Sequence, residues 1–386
     1  MPIRQRLVTY GIPSLAAATV VTAALLHPWR AAPAPQIESD PYVPIPHEAP
    51  TPPPASHTVD VVFAIDTTGS MGGLLDGARR TVWSIATHIR EADPNADVRI
   101  GLVAYKDVGD EYTSYITKDF PLTTDIDGVF RELSSYTADG GGDTPEDVNK
   151  ALDDAMHMQW RAGAKKLVFL VGDAPPADRH DAPTFDVIAR DAGTRGILIN
   201  TIRCGWDRDT QSAWSEIASL SGGQFQTIAQ DGGVQQVATP YDAKLAELSA
   251  KVDETTVVTG TEVDRAAYHA AMGVAAAAPA AAKADRASYY AAKGGGRAAG
   301  DLVEKYSMNG SAALDGLEGD ALPDDLRGKD SAALKQELDK RLAERRATEA
   351  ELKKVVTQRA DYLKNLPAPR DGFDAKVNAT IDAELK

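Results

Sequence analysis

Five oxygen-bearing side chains, carried on three stretches far apart in the chain, have the types and spacing to hold a hard divalent cation. Asp66, Thr68 and Ser70 sit at alternate positions of Asp66-Thr67-Thr68-Gly69-Ser70, so one carboxylate and two hydroxyls can converge on one point. Thr144 lies in the glycine-rich loop Ala138-Asp139-Gly140-Gly141-Gly142-Asp143-Thr144-Pro145-Glu146, and Asp173 lies in Val171-Gly172-Asp173-Ala174-Pro175-Pro176. Such donors suit Mg²⁺, which takes about six oxygens at ~2.1 Å and keeps some of its waters. Each loop also has a plainer reading. Ser, Thr and Asp are preferred N-cap residues, so Asp66 and Thr68 could simply cap the next helix. Thr144 could cap a helix that Pro145 is suited to start. Three such loops at the same edge of one sheet are hard to explain by capping alone.

The elements that must position these residues are strands ending at the same rim. Val59, Val61, Val62, Phe63, Ala64 and Ile65 form an apolar run interrupted only by Asp60, as expected of a central parallel strand covered on both faces. Asp66 follows at its carboxyl end, where open α/β sheets place their ligands. The run 166–172 (KLVFLVG) is a second buried strand and delivers Asp173 in the same way. Strands are also expected at 98–105, 197–203 and 223–228, with a more exposed one at 111–117. Helices are expected at 71–90, 127–133, 146–158, 185–194 and 210–220. This alternation predicts an α/β fold, a doubly wound and mostly parallel sheet, over residues 58–240.

The order and spacing of Asp66-x-Thr68-Gly69-Ser70, Thr144 in a glycine-rich loop, and Asp173 after a hydrophobic strand resemble the metal-ion-dependent adhesion site of von Willebrand factor type A domains. The resemblance is to the bacterial membrane-anchored or exported type. The resemblance covers residues 58 to about 240 and implies a Rossmann-like domain. By resemblance, Ser70 and Thr68 bind the metal directly, Thr144 binds directly or through water, and Asp66 and Asp173 hold metal-bound waters or the metal itself. Thr68 stands where the family more often has serine, with the hydroxyl retained. Mg²⁺ is the expected metal, with Ca²⁺ or Mn²⁺ as alternatives. Three of the five donors are neutral hydroxyls, so a divalent ion there keeps electrophilic character and an exchangeable position that a partner's Asp or Glu carboxylate can fill. Asp143, Glu146 and Asp147 add negative charge around the second loop.

The expected function is therefore divalent-cation-dependent binding of a protein ligand, as in cell adhesion. The alternative is an envelope scaffold acting through its helical tail, with a purely structural metal site. An enzyme is not expected. The three loops contain no histidine or lysine to serve as a general base beside the metal. There is no G-x-x-x-x-G-K-[ST] and no G-x-S-x-G. Gly294-Gly295-Gly296 follows no buried strand and so does not read as a phosphate cradle.

The rest of the chain sets the context. With 41 Lys and Arg against 56 Asp and Glu, the net charge of −15 gives no electrostatic case for nucleic acid. Cys204 is the sole cysteine, which excludes an intrachain disulfide and cysteine-based zinc sites. Arg4 and Arg6 precede an apolar run over 7–26, about 30 Å long as a helix. Residues 1–30 thus read as a signal-anchor segment that leaves the bulk extracytoplasmic, in the periplasm or at the cell surface. Ala32-Pro33-Ala34 resembles a cleavage site, so secretion after cleavage is the alternative. Residues 31–57 are a proline-rich linker, extended and semi-rigid. Residues 241–386 read as an α-helical region. It holds an amphipathic helix over 241–252, an alanine-dominated stretch over 266–299, a Gly- and Asp-rich stretch over 301–325, and a strong helix over 331–366. Leu338, Leu342, Leu352, Val356 and Leu363 fall on a heptad seam of that last helix, but Arg345, Glu349 and Arg359 share the seam. That favours a solvated helix packing one face on its own chain over a coiled coil.

Overall fold

The computed structural model describes residues 57–109, 115–141, 145–234, 237–366 and 371–385. The expected membrane segment and nearly all of the proline-rich linker lie outside them. Among the described residues no helix is long and apolar enough to cross a membrane.

Six strands form the sheet: β1 (Thr58–Asp66), β2 (Asp97–Tyr105), β3 (Thr117–Thr123), β4 (Lys165–Gly172), β5 (Ile197–Cys204) and β6 (Phe225–Ile228). Along β1 the side chains alternate between two apolar layers, Val59, Val61, Phe63 and Ile65 on one side and Val62 and Ala64 on the other. A strand buried on both faces must be central, and β1 pairs in parallel with β2 and with β4. The order is β3-β2-β1-β4-β5-β6, with only β3 antiparallel. Most of the exposed strand expected at 111–117 lies outside the described residues, and the described chain enters the sheet at Thr117 as β3. Its partly exposed pattern fits an edge. Pro121, which has no N–H to donate, lies where the register against β2 shifts between Ile100 and Leu102, and an edge tolerates that.

Helices α1 (Gly72–Ala92) and α2 (Ile126–Ser135) cover one face, and α3 (Val148–His157), α4 (Phe185–Thr194) and α5 (Arg208–Ser221) cover the other. Six further helices follow: α6 (Asp242–Glu254), α7 (Glu262–Ala277), α8 (Ala280–Lys293), α9 (Leu302–Asn309), α10 (Ser331–Lys364) and α11 (Phe373–Glu384). They do not stand apart from the sheet, and all described residues belong to one compact unit. α8 packs on α1, α7 on α2, and α11 on α1 and β5. Ala282, Tyr289, Phe373, Val377 and Ile381 join the apolar layer of α1 and α2. Phe63 stacks on Phe169 at 5.3 Å and meets Phe373 at 6.0 Å.

Two tail helices depart from expectation. α9 lies in the stretch read as Gly- and Asp-rich, and α11 was not foreseen. Two of the three charges that interrupt the heptad seam of α10 prove to be its anchors. Buried Arg345 pairs with Asp301 at 2.7 Å, and Arg359 pairs with Asp242 at 2.8 Å and Asp285 at 2.7 Å. α10 thus packs one face on its own chain.

Candidate metal centre

The register that pairs β1 with β2 sets Asp66, the last residue of β1, opposite Tyr105. Asp66 is 0% exposed. The chain then makes a 3-10 turn, Gly69–Met71, before α1 begins, and neither Thr68 before the turn nor Met71 before the helix makes a side-chain cap bond. Helix capping therefore does not account for these polar residues. Instead the Thr68 N–H and hydroxyl both donate to Asp66 Oδ1, at 2.9 and 2.7 Å. The Thr68 and exposed Ser70 hydroxyls are 3.5 Å apart. Asp66 Oδ2 is buried with no hydrogen-bond partner.

The third loop closes on the same carboxylate. The Asp173 backbone faces the Asp66 carboxylate and favours its charged form. A Cβ at Gly172 would lie 2.4 Å from Tyr105 Oη and 2.9 Å from Asp66 Cβ, so glycine is what lets the end of β4 approach Asp66. Gln230 Nε2 donates to Asp173 Oδ2 at 2.5 Å, and the Thr210 hydroxyl donates to the Asp173 carbonyl at 3.1 Å. Burial, with the charge of Asp173 adding to it, pushes the Asp66 carboxyl up to about 7. A buried carboxylate with one orphaned oxygen beside a second carboxylate is what a cation would relieve. The donor set therefore fits a divalent ion.

The second loop lies alongside. The Asp139 N–H donates to the Thr67 carbonyl at 3.3 Å, and a Cβ at Gly69 would come within 3.0 Å of the Gly140 carbonyl oxygen. Thr144 falls outside the described residues. The helix after it begins at Val148, and its N-cap is Asp147, which accepts from the Lys150 N–H at 3.1 Å. Thr144 therefore does not cap it and Pro145 does not open it, contrary to the plainer reading. The described geometry gathers Asp66, Thr68, Ser70 and Asp173 at one rim. Among the described residues no three His, Cys, Asp or Glu cluster, as expected where hydroxyls supply half of these four donors.

Residues 60–239 match the family model of the von Willebrand factor A domain. The chain carries a von Willebrand factor A domain. It is 28% identical over 121 residues to the alpha-protein kinase vwkA of Dictyostelium discoideum, covering 31% of this chain and 19% of that one. It is 25% identical over 206 residues to a putative ariadne-like RING finger protein of Acanthamoeba polyphaga mimivirus, covering 48% of this chain and 20% of that one. The chain thus spans about a fifth of the length of these curated relatives. Among solved structures, the SpRpn10 VWA domain is 13% identical at TM-score 0.35, over 45% of this chain and 88% of that one. The pilus adhesin SpaC from Lactobacillus rhamnosus GG is 16% identical at TM-score 0.36, over 45% of this chain and 28% of that one. At these scores the likenesses add nothing to the family match.

Within this von Willebrand factor A domain, sequence reasoning overlooked Lys106. It follows β2 at the same rim, is 1% exposed, and donates from Nζ to the Thr67 carbonyl at 2.6 Å and to the Asp139 carbonyl and Oδ1 at 2.5 Å. Its three protons tie the first loop to the second. A lysine directly after a buried strand was the available signal.

Proposed function

We propose that the von Willebrand factor A domain binds a protein ligand through a divalent cation held by Asp66, Thr68, Ser70, Thr144 and Asp173, with Mg²⁺ expected and Ca²⁺ or Mn²⁺ as alternatives. A von Willebrand factor A domain is an interaction module, and the metal dependence is the added step. The observation that carries it is the buried, unpartnered Asp66 Oδ2 beside Asp173, at a rim whose hydroxyls cap no helix. A bound cation supplies a positive, exchangeable position for a partner's carboxylate. The chain's own part is to hold the donors still. Gly172 admits the close approach, Gln230 orients Asp173, and Lys106 clamps the loops.

The same rim offers apolar contact. Trp206, 80% exposed, follows β5, and Val108, 47% exposed, follows β2, so they flank the ends of β1 and β4. Exposed aromatics of this kind are frequent anchors of binding energy. A binding role is also favoured over a catalytic one because the Lys106 ammonium is fully engaged as a donor and cannot act as a base. The N-terminal run and proline-rich linker support display outside the cytoplasmic membrane, anchored or secreted, and the acidic charge argues against nucleic acid. The scaffold alternative is weaker, since the tail helices bury much of their apolar surface on their own sheet domain.

The test is capture of envelope proteins on the immobilised chain in Mg²⁺ and in EDTA, for the parent and for Asp173→Ala. A partner retained only in Mg²⁺ and only by the parent supports the proposal. Equal capture by both proteins overturns it.

A further inference from the structure

A cavity of about 500 Å³ opens between the start of α2, α7, the end of α8 and the chain over 297–300, on the side of the molecule built by the tail. That is within the ~300–1,000 Å³ range of small-molecule sites. Its wall carries Lys293 and Arg297, the two residues that bracket the glycine triplet, together with Tyr268 and Tyr290.

The two cations are under-partnered. Arg297 is 4% exposed, yet among the described residues its Nη1 has no hydrogen-bond partner, and the one carboxylate oxygen within ion-pair range is Asp253 Oδ1, at 3.9 Å from Nε. That carboxylate is already engaged by Arg286, which takes Asp253 at 2.6 Å and Asp127 at 2.7 Å. Arg297 is fixed in place by the Tyr290 ring, 4.2 Å from its guanidinium carbon. Lys293 Nζ makes no hydrogen bond or ion pair among the described residues and lies 5.4 Å from the same ring. Glu349 shares a smaller cavity with Arg297 and forms no ion pair with it among the described residues.

The two carboxylates of the wall, by contrast, each have one oxygen held by local donors. Asp125 Oδ1 accepts from the Gly128 N–H at 3.0 Å, and Asp264 Oδ2 accepts from the Thr261 N–H at 2.9 Å and hydroxyl at 2.7 Å. The wall therefore pairs two cations that make no close ion pair among the described residues with two carboxylates that local donors already anchor. A buried guanidinium left one partner short is costly, and an oxyanion with two or more oxygens restores that partner. Burial also draws both Arg297 and Lys293 below their ordinary pKa values, as unneutralised cations show.

We propose that this cavity is a binding site for a small soluble oxyanion, a phosphate or carboxylate compound, held by Arg297 and Lys293 against the Tyr290 ring. The glycine triplet is not the cradle, and the side chains on either side of it are. The site is separate from the metal rim and does not rest on the adhesion reading.

The test is titration calorimetry on the purified chain in EDTA at constant ionic strength, with inorganic phosphate and with citrate as the tetrahedral and planar probes. The parent should bind at least one of them saturably, and that probe should raise its melting temperature. Lys293→Gln, which breaks no side-chain hydrogen bond or ion pair among the described residues, should weaken binding about tenfold, the loss of one charge-assisted hydrogen bond. Arg297→Gln, shown folded by circular dichroism, should abolish it. The absence of saturable binding of either probe up to about 10 mM overturns the proposal, as does equal affinity in Lys293→Gln and the parent.

Discussion

At the scale of single residues, the rim is a compromise between stability and readiness to bind. Asp66 is buried with one oxygen orphaned next to Asp173, which destabilises the metal-free fold. Asp66→Asn keeps the Oδ1 acceptor for Thr68 and removes the charge. It should leave the protein at least as stable as the parent in EDTA, while the rise in melting temperature that Mg²⁺ gives the parent disappears; differential scanning calorimetry in both buffers checks this. Gly172→Ala acts through space alone. Its Cβ would press on Tyr105 Oη and Asp66, so urea unfolding should show a loss of about 1–3 kcal/mol, with Mg²⁺ affinity falling as Asp66 is displaced.

At the scale of elements, what the sequence disclosed and what it hid follow from where each element gets its stability. The parallel strands β1, β2, β4 and β5 are predominantly apolar and buried, so their positions could be read directly, as could Asp66 and Asp173 at the ends of β1 and β4. β3 could not, because an edge strand carries Lys118, Asp119 and Pro121 and owes its place to pairing with β2. α9 and α11 are short, and α11 is held by distant partners such as Phe63. On α10, charges at seam positions looked like interruptions, since burial of an arginine is visible only once its carboxylate partner is placed. Arg345 meets Asp301 with two hydrogen bonds, at 2.7 and 3.3 Å, and reaches the Thr255 hydroxyl at 2.8 Å. Arg345→Ala strands Asp301 in the interior and should cost about 3–5 kcal/mol. Adding Asp301→Asn should recover part of that loss, and chemical denaturation of the single and double variants measures the coupling.

At the scale of the whole molecule, the tail and the sheet domain share their buried charges. Asp127 of α2 receives Arg286 of α8, the Trp83 indole N–H at 3.0 Å and the Tyr290 hydroxyl at 2.8 Å. Burial pushes its carboxyl up, but the Arg286 charge and these hydrogen bonds outweigh that and hold it below the ordinary carboxylate value. Its contribution to stability is present above that ordinary value and is lost as pH falls through the lower folded one. Asp285 has the opposite sign. Burial raises it to about 6 in spite of Arg359, so the folded state keeps the proton longer, and its contribution declines as pH rises from about 4 to about 6. Asp285→Asn should flatten that decline in urea midpoints measured across the interval and leave the acid-side loss in place. For the same reason, removing 255–386 is not a clean excision. It takes Arg286 away from Asp127 and strips α1 of α8 and α11, so circular dichroism and urea unfolding of the truncated chain should show a destabilised, poorly cooperative protein.

The docking of α11 also dictates when this protein can fold. His88 of α1 hydrogen-bonds Asp382 at 2.8 Å, and Asn200 of β5 hydrogen-bonds Glu384 at 3.3 Å. Contacts spanning that much chain are slow to form. A nascent polypeptide on the ribosome has all six strands well before it has α11, and the part of the apolar layer that Phe373, Val377 and Ile381 cover stays open until residues 373–384 are made. Such a delay leaves that patch open to chaperones or proteases for the interval, and a chain lacking α11 would keep it bare beside α1 and β5.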